Sequence, residues 1–309
     1  MNNLRYLLKV SRPELWHFVY GGSYIGVLAA MREHSPWYYL LQPGRFYLFA
    51  AWSLTLVLFN LAVYGLNDIV DYPTDLINGE RRNELVAPER RSLVAWAILI
   101  TQIPCTIAMY LAAGNKGLIA CLLCWLVNVA YSLPPLRCKA RPVADLVCDG
   151  VGYLMPGILG YWLFASLPSA YGFELLASGS LFVAGCHTLA SVRDIPADRK
   201  AGVRSTAAVI GSRNGIRLAI MLFAISAASW ACIAKGTAIL LVFVPLAHLA
   251  VSAWVLSKVQ PDDTLPRTVS AAIYLWIWRL SWWGGLVCMY QAGRILVPPF
   301  LGWMRLIGW

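Results

Sequence analysis

Long apolar stretches alternate with short polar connections along this chain, with apolar runs near residues 15–31, 46–66, 93–113, 117–134, 143–165, 171–190, 216–233, 237–257 and 270–292. Each can cross the hydrocarbon of a bilayer, which takes roughly 17 to 25 helical residues. Unpaired backbone groups are costly in lipid, so runs of this length are predicted as α-helices. The pattern therefore predicts an all-α, polytopic membrane protein with about nine spans, forming a single transmembrane domain over residues 1–309 with no long linker or low-complexity tract. The closing segment, Leu296 to Trp309, is short and interrupted by Pro298 and Pro299, and is predicted to lie at the interface. No cleavable signal peptide is expected ahead of the first span.

Composition supports this setting. Of 309 residues, 59% are hydrophobic and only 13% charged, and the mean hydropathy is +0.62, far from the soluble balance. The net charge of +10 raises nucleic acid as a partner, but the cations lie in membrane-flanking loops and no soluble domain carries a groove. Their placement gives an orientation instead. With the N-terminus inside, Lys and Arg are about threefold more numerous on the cytoplasmic segments than on the opposite face, and Arg279 falls within an expected span. Contacts with anionic membrane lipids account for most of these charges. The eight cysteines mostly fall in apolar runs and read as small buried residues; Cys121 and Cys124 form a CxxC inside an expected helix, with no further partners for a metal.

The chemistry concentrates in two aspartate clusters on the basic side. The first is NDIVDYPTD, with Asn67, Asp68, Asp71 and Asp75; the second is RDIPADRKAG, with Asp194 and Asp198. Steps of three and four place Asp68, Asp71 and Asp75 along one side of a helix with Asn67 beside them, and Asp194 and Asp198 are likewise stacked. Like charges so arranged repel. A divalent cation offsets that repulsion, and Mg²⁺ in particular takes one or two carboxylates together with substrate phosphates. One such cluster reads equally well as a solvated helix end; two at the inner ends of membrane helices, each beside Arg or Lys, point to a Mg²⁺-bound diphosphate. Asp68, Asp71, Asp75, Asp194 and Asp198 are the candidate metal ligands. Asn67, Arg199 and Lys200 flank them as candidate diphosphate contacts.

Between the clusters, YSLPPLRCKARP at 131–142 stops a helix at Pro134 and Pro135 and leaves Arg137, Lys139 and Arg141 along an extended turn. Lys139 is the first candidate for a diphosphate contact, and Arg141 the next. Both aspartate motifs end an even-numbered span, which hints at a repeated helix pair.

These residues resemble the UbiA superfamily of intramembrane prenyltransferases. The resemblance rests on NDIVDYPTD, DIPADRKAG, the YSLPPLRCKARP loop and the SRPELW lead-in to the first span, and covers roughly residues 8 to 290. It implies a nine-helix bundle around a central cavity capped on the cytoplasmic side, two Mg²⁺ ions between the motifs, and transfer of an isoprenoid from an allylic diphosphate to a lipophilic acceptor. Carried over, Asn67, Asp71 and Asp75 match the first metal motif, Asp68 is its adjacent carboxylate, Asp194 and Asp198 match the second, and Lys139 and Arg141 stabilise the leaving diphosphate.

The physics of such a reaction suits the chain. Ionising an allylic C–O bond places negative charge on diphosphate, stabilised by Mg²⁺ and cationic side chains, and positive charge on carbon, stabilised by aromatic faces. Tyr64, Tyr131, Tyr153 and Tyr161 are candidates to line the cavity, although packing is the commoner role for an aromatic. Asp145 and Asp149 lie four apart at the start of the fifth span. Asp149, the deeper, is a catalytic candidate that could orient the acceptor, stabilise a carbocation or remove its proton, while either could instead pair with Arg137 or Arg141. His187 is a candidate base or simply a hydrogen-bonded histidine.

For the acceptor, NLAVYGLNDIVDYPTD, YSLPPLRCKARPVADLVCDGVGYLMPG and ASVRDIPADRKAGVRSTAAVIG most resemble the carotenoid branch, the lycopene elongases. That resemblance implies dimethylallyl addition to a polyene end in C50-type carotenoid biosynthesis. The segment INGERRNELVAPERRSL departs from the family pattern. Aromatic prenylation, of quinone-precursor or chlorophyll type, is the alternative. Transport would require charges near the bilayer midplane or broken helices there, whereas the acidic residues here gather at one side.

Overall fold

The structure, a computed structural model, describes residues 2–34, 43–77, 86–165, 170–233, 241–277 and 279–280. Over these residues the chain is helical, with no strand. An amphipathic α1 (Asn3–Val10) is capped by the Asn2 side chain, which accepts from the Leu4 amide at 2.7 Å. There follow α2 (Trp16–His34), α3 (Pro43–Ile77), α4 (Arg91–Ala113), α5 (Asn115–Ser132), α6 (Ala144–Phe164), α7 (Ala170–Ala201), α8 (Thr206–Ile233), α9 (Phe243–Leu256) and α10 (267–277). Short 3₁₀ turns at Pro13–Leu15, Pro88–Arg90 and Cys138–Ala140 join them.

Every apolar run described is helical. Six helices, in segments Pro43–Ile77, Pro88–Ala113, Asn115–Ser132, Ala144–Phe164, Gly172–Ala201 and Thr206–Ile233, are long and apolar enough to cross a membrane. The expected first span forms the 19-residue α2, and α9 is a shorter apolar helix of 14 residues. The rest of the ninth run, Leu296 to Trp309 and most of the connection after the first aspartate motif lie outside the described residues.

Three helices outrun the hydrocarbon. At 1.5 Å per residue the 35 residues of α3 extend about 50 Å against a core of about 30 Å, so its polar last turns, with Asp68, Asp71, Pro73 and Asp75, remain helical beyond the apolar run. Both aspartates of the second motif are likewise inside α7, Asp194 before Pro196 and Asp198 after it. Ahead of the expected seventh span, α8 begins at Thr206 and bends where Gly211 leaves helical geometry at φ 85°.

In lipid, helices associate through close packing and hydrogen bonds rather than the hydrophobic effect. The pairs α2/α6, α3/α4 and α7/α8 make the most extensive contacts. On α2, a Cβ at Gly22 or Gly26 would collide with the carbonyl oxygen of Tyr153 or Gly157 on α6. Buried polar groups cross between helices: Trp52 Nε1 donates to Ser23 Oγ at 2.6 Å, Asn128 Nδ2 to the Ala62 carbonyl at 3.2 Å, Ser226 Oγ to the Ser178 carbonyl at 2.7 Å and Trp230 Nε1 to the Leu175 carbonyl at 3.2 Å. Two apolar cores result. One is built mainly from α2 to α6, the other from α7 to α10. The outer faces of α4 and α5 present Ile100, Ile103, Leu111 and Leu126, as a lipid-facing surface must. Cys121 and Cys124 are buried free thiols in the first core.

Candidate active site

Asn67, Asp71 and Asp75 succeed one another at steps of four, so they share a face of α3, and that face lines a cavity of about 430 Å³. Asp194 and Asp198 on α7 line the same cavity. Asp68 is turned off that face: it is buried and pairs with Arg12 at 2.6 Å. The Arg12 guanidinium also lies over the Tyr64 ring, 5.1 Å from its centroid. The expectation that three carboxylates of the first motif face one way therefore resolves into two facing the cavity and one holding the lead-in to α2.

The loop between α5 and α6 closes over the first motif. Lys139 donates to Asn67 Oδ1 at 2.6 Å and makes a close ion pair with Asp71, which also receives Arg137 Nη2 at 3.2 Å. Burial holds the Lys139 ammonium below the usual lysine range, against the opposing attraction of Asp71. Arg137, with φ 38°, turns into the cavity. Arg141 is exposed and donates to the Pro135 carbonyl at 2.6 Å, away from the lining. Arg199 and Lys200 are also exposed and do not line the cavity; Arg199 Nε donates to the Ala208 carbonyl at 3.1 Å. Asp198 accepts from Ser205 Oγ at 2.6 Å.

Three lining cations, Arg12, Arg137 and Arg193, fall outside the candidate contacts taken from the sequence. The sequence held a signal for each: Arg12 is the cation of SRPELW, Arg137 stands two residues before Lys139, and Arg193 directly precedes Asp194.

Deeper in the cavity, α6 and α7 meet at a polar cluster. Asp145 is fully buried and accepts from the Thr206 amide at 2.8 Å, the Leu146 amide at 3.0 Å and the Thr206 hydroxyl. The alternative pairing of Asp145 with Arg137 or Arg141 is not formed, because those guanidiniums are engaged with Asp71 and Pro135. One turn on, Asp149 lines the cavity with Oδ2 3.6 Å from His187 Nδ1, while His187 Nε2 lies 3.9 Å from Asp145 Oδ2 and 3.4 Å from Ser191 Oγ. Tyr64, Tyr131 and Tyr153 line the cavity with Phe18 and Tyr274. Tyr161 does not; two turns beyond Tyr153 it is fully buried in the first core.

Among the described residues, no three His, Cys, Asp or Glu side chains are grouped to hold a metal ion by themselves. The donors that face the cavity, Asn67, Asp71, Asp75, Asp194 and Asp198, are all oxygen, in two sets on two helices. That set fits a hard cation whose remaining ligands are water and phosphate oxygen.

The UbiA prenyltransferase family model matches residues 19–279. The chain belongs to that family. It is a prenyltransferase and an integral, multi-pass membrane protein. Among curated relatives, the lycopene elongase/hydratase of Corynebacterium glutamicum is 31% identical over 234 residues, 74% of this chain and 77% of the relative. That of Haloarcula japonica is 30% identical over 231 residues, 72% and 73% of the two chains. These similarities align this UbiA-family chain with the carotenoid branch. Its fold is shared with a UbiA homologue from Archaeoglobus fulgidus bound to DMAPP and Mg²⁺, at TM-score 0.61 and 16% identity, over 92% of this chain and 99% of that one.

Proposed function

We propose that this prenyltransferase moves a dimethylallyl group from its diphosphate to the end of a carotenoid polyene. The observation that carries this reading is one cavity with two acidic helix faces, cations at its rim and aromatic rings with Asp149 and His187 behind them. The similarity to two lycopene elongase/hydratases supports the polyene as acceptor.

In this reading Asp71 and Asp75, with Asn67, form one ligand set, and Asp194 and Asp198 the other. Mg²⁺ held there would neutralise the negative charge that grows on diphosphate as the allylic bond ionises. Lys139, Arg137, Arg12 and Arg193 supply positive charge on the same oxygens. Lys139 gives up contacts with Asn67 and Asp71 to do so, which keeps it oriented before substrate arrives. Tyr64, Tyr131, Tyr153 and Phe18 surround the carbon chain, stabilising the allylic cation and limiting water. A cavity of about 430 Å³ suits a C5 diphosphate and the end of a long acceptor, whose remainder stays in the bilayer. The distribution of Lys and Arg supports a cytoplasmic position for the diphosphate end.

The test is an acceptor comparison. Purified protein in lipid vesicles with Mg²⁺ is given radiolabelled dimethylallyl diphosphate and either lycopene or 4-hydroxybenzoate. Label entering lycopene supports the reading; transfer only to the aromatic acid replaces the acceptor and keeps the chemistry at the diphosphate.

A further inference from the structure

Addition of an allylic cation to an alkene leaves a second problem that the metal end of the cavity does not address. The C–O bond to diphosphate breaks with its electron pair leaving on diphosphate, the terminal C=C pair of the acceptor forms the new C–C bond, and a tertiary cation remains on the acceptor. The cation ends in one of two ways. A neighbouring C–H bond supplies its pair to form an alkene, or a water oxygen forms a C–O bond; in both, one proton leaves and a base receives it. Until that proton leaves, the addition can run backwards.

We propose that the Asp149–His187 pair is that base, with Asp145 positioning His187. The proposal rests on the prenyl-transfer reading above and assigns the step that reading leaves open. Three observations carry it. Asp149, His187 and Ser191 all line the cavity, whereas Asp145 is wholly buried. Asp145 is held by the Thr206 amide and hydroxyl and the Leu146 amide, with Oδ2 3.9 Å from His187 Nε2, so it faces the imidazole from behind and does not line the cavity. Among the described residues the basic side chain within reach of Asp149 is His187, Nδ1 to Oδ2 3.6 Å, and no arginine pairs with this carboxylate on the cavity wall.

Position along the helix agrees. His187 precedes Asp194 by two turns of α7, about 10 Å of rise, which sets the pair beyond the diphosphate, where the carbon chain must lie. Asp149 sits one turn from Tyr153 on α6, and the His187 ring meets Tyr131 edge-on with centroids 6.4 Å apart. The proton acceptor thus stands behind the aromatic rings rather than among the metal-facing carboxylates. Ser191 Oγ lies 3.4 Å from His187 Nε2 on the same cavity wall.

The test compares native protein, Asp149→Asn, His187→Gln and Asp149→Glu in lipid vesicles with Mg²⁺, labelled dimethylallyl diphosphate and lycopene, and reads C5 adduct formed per diphosphate released. The expected result is that this ratio falls at least about tenfold in Asp149→Asn and His187→Gln, with label recovered as the C5 alcohol, and recovers in part in Asp149→Glu. A merely structural role would lower adduct and diphosphate release together and leave their ratio at the native value in every variant; that outcome overturns the proposal while the prenyl-transfer reading stands. Native protein that releases no diphosphate in a Mg²⁺-dependent way overturns both.

Discussion

Lys139 Nζ reaches Asn67 Oδ1 at 2.6 Å, joining the loop after α5 to the motif of α3 across 72 positions of sequence. The contact seats a largely buried cation over Asp71 before any diphosphate arrives. Replacing Lys139 with Met removes that charge and is expected to lower kcat/KM for diphosphate release by about 10² to 10³. Lys139→Arg keeps the charge and should retain part of the activity. Steady-state release measured with both variants checks the charge and the fit separately.

Asp68 has a different task from its neighbours. It is buried against Arg12 and turned from the cavity, so removing either partner breaks a buried ion pair, at a cost of about 3 kcal/mol. Thermal unfolding in detergent should show Asp68→Ala and Arg12→Ala both destabilised, and the double variant less so than their sum. The Mg²⁺ concentration for half-maximal activity separates the motif further. It should rise steeply in Asp71→Asn and change little in Asp68→Asn.

Helix packing offers a contrast of two glycines on α2. A methyl group on Gly26 would strike the Gly157 carbonyl of α6, whereas at Gly21 nothing lies within 4 Å. Gly26→Ala is expected to cost about 1 to 3 kcal/mol by forcing α2 and α6 apart. Gly21→Ala should be neutral or slightly stabilising, since alanine favours helix by about 0.5 to 1 kcal/mol. Melting temperatures of the two variants in the same detergent decide this.

The sequence carried the spans well because hydrocarbon imposes length and apolarity at once: each described apolar run became a helix. It carried the two aspartate faces for the same kind of reason, since steps of four fix a shared helix side whatever the tertiary fold. What it hid depends on loops and long-range partners. Arg137 rather than Arg141 enters the cavity because the backbone takes positive φ at Arg137 and again at Val143, conformations that no side-chain pattern announces. Asp68 lies beside Asn67 in sequence, yet its direction is decided by Arg12, 56 positions away. Thr206 claims Asp145 from 61 positions away. Tyr161 resembles Tyr153 in every local respect, and only its place two turns further along α6 sends it into the core.

The central claim is that Asp71 on α3 and Asp194 on α7 serve one diphosphate through bound Mg²⁺. It is tested most directly by measuring diphosphate release from dimethylallyl diphosphate across a Mg²⁺ titration with EDTA controls, for native protein, Asp71→Asn and Asp194→Asn, each shown to remain membrane-integrated. The account predicts release that vanishes with EDTA, returns with Mg²⁺, and falls by about 10² or more in both variants. Release that persists in EDTA, or that survives in either variant at the native Mg²⁺ requirement, would contradict it.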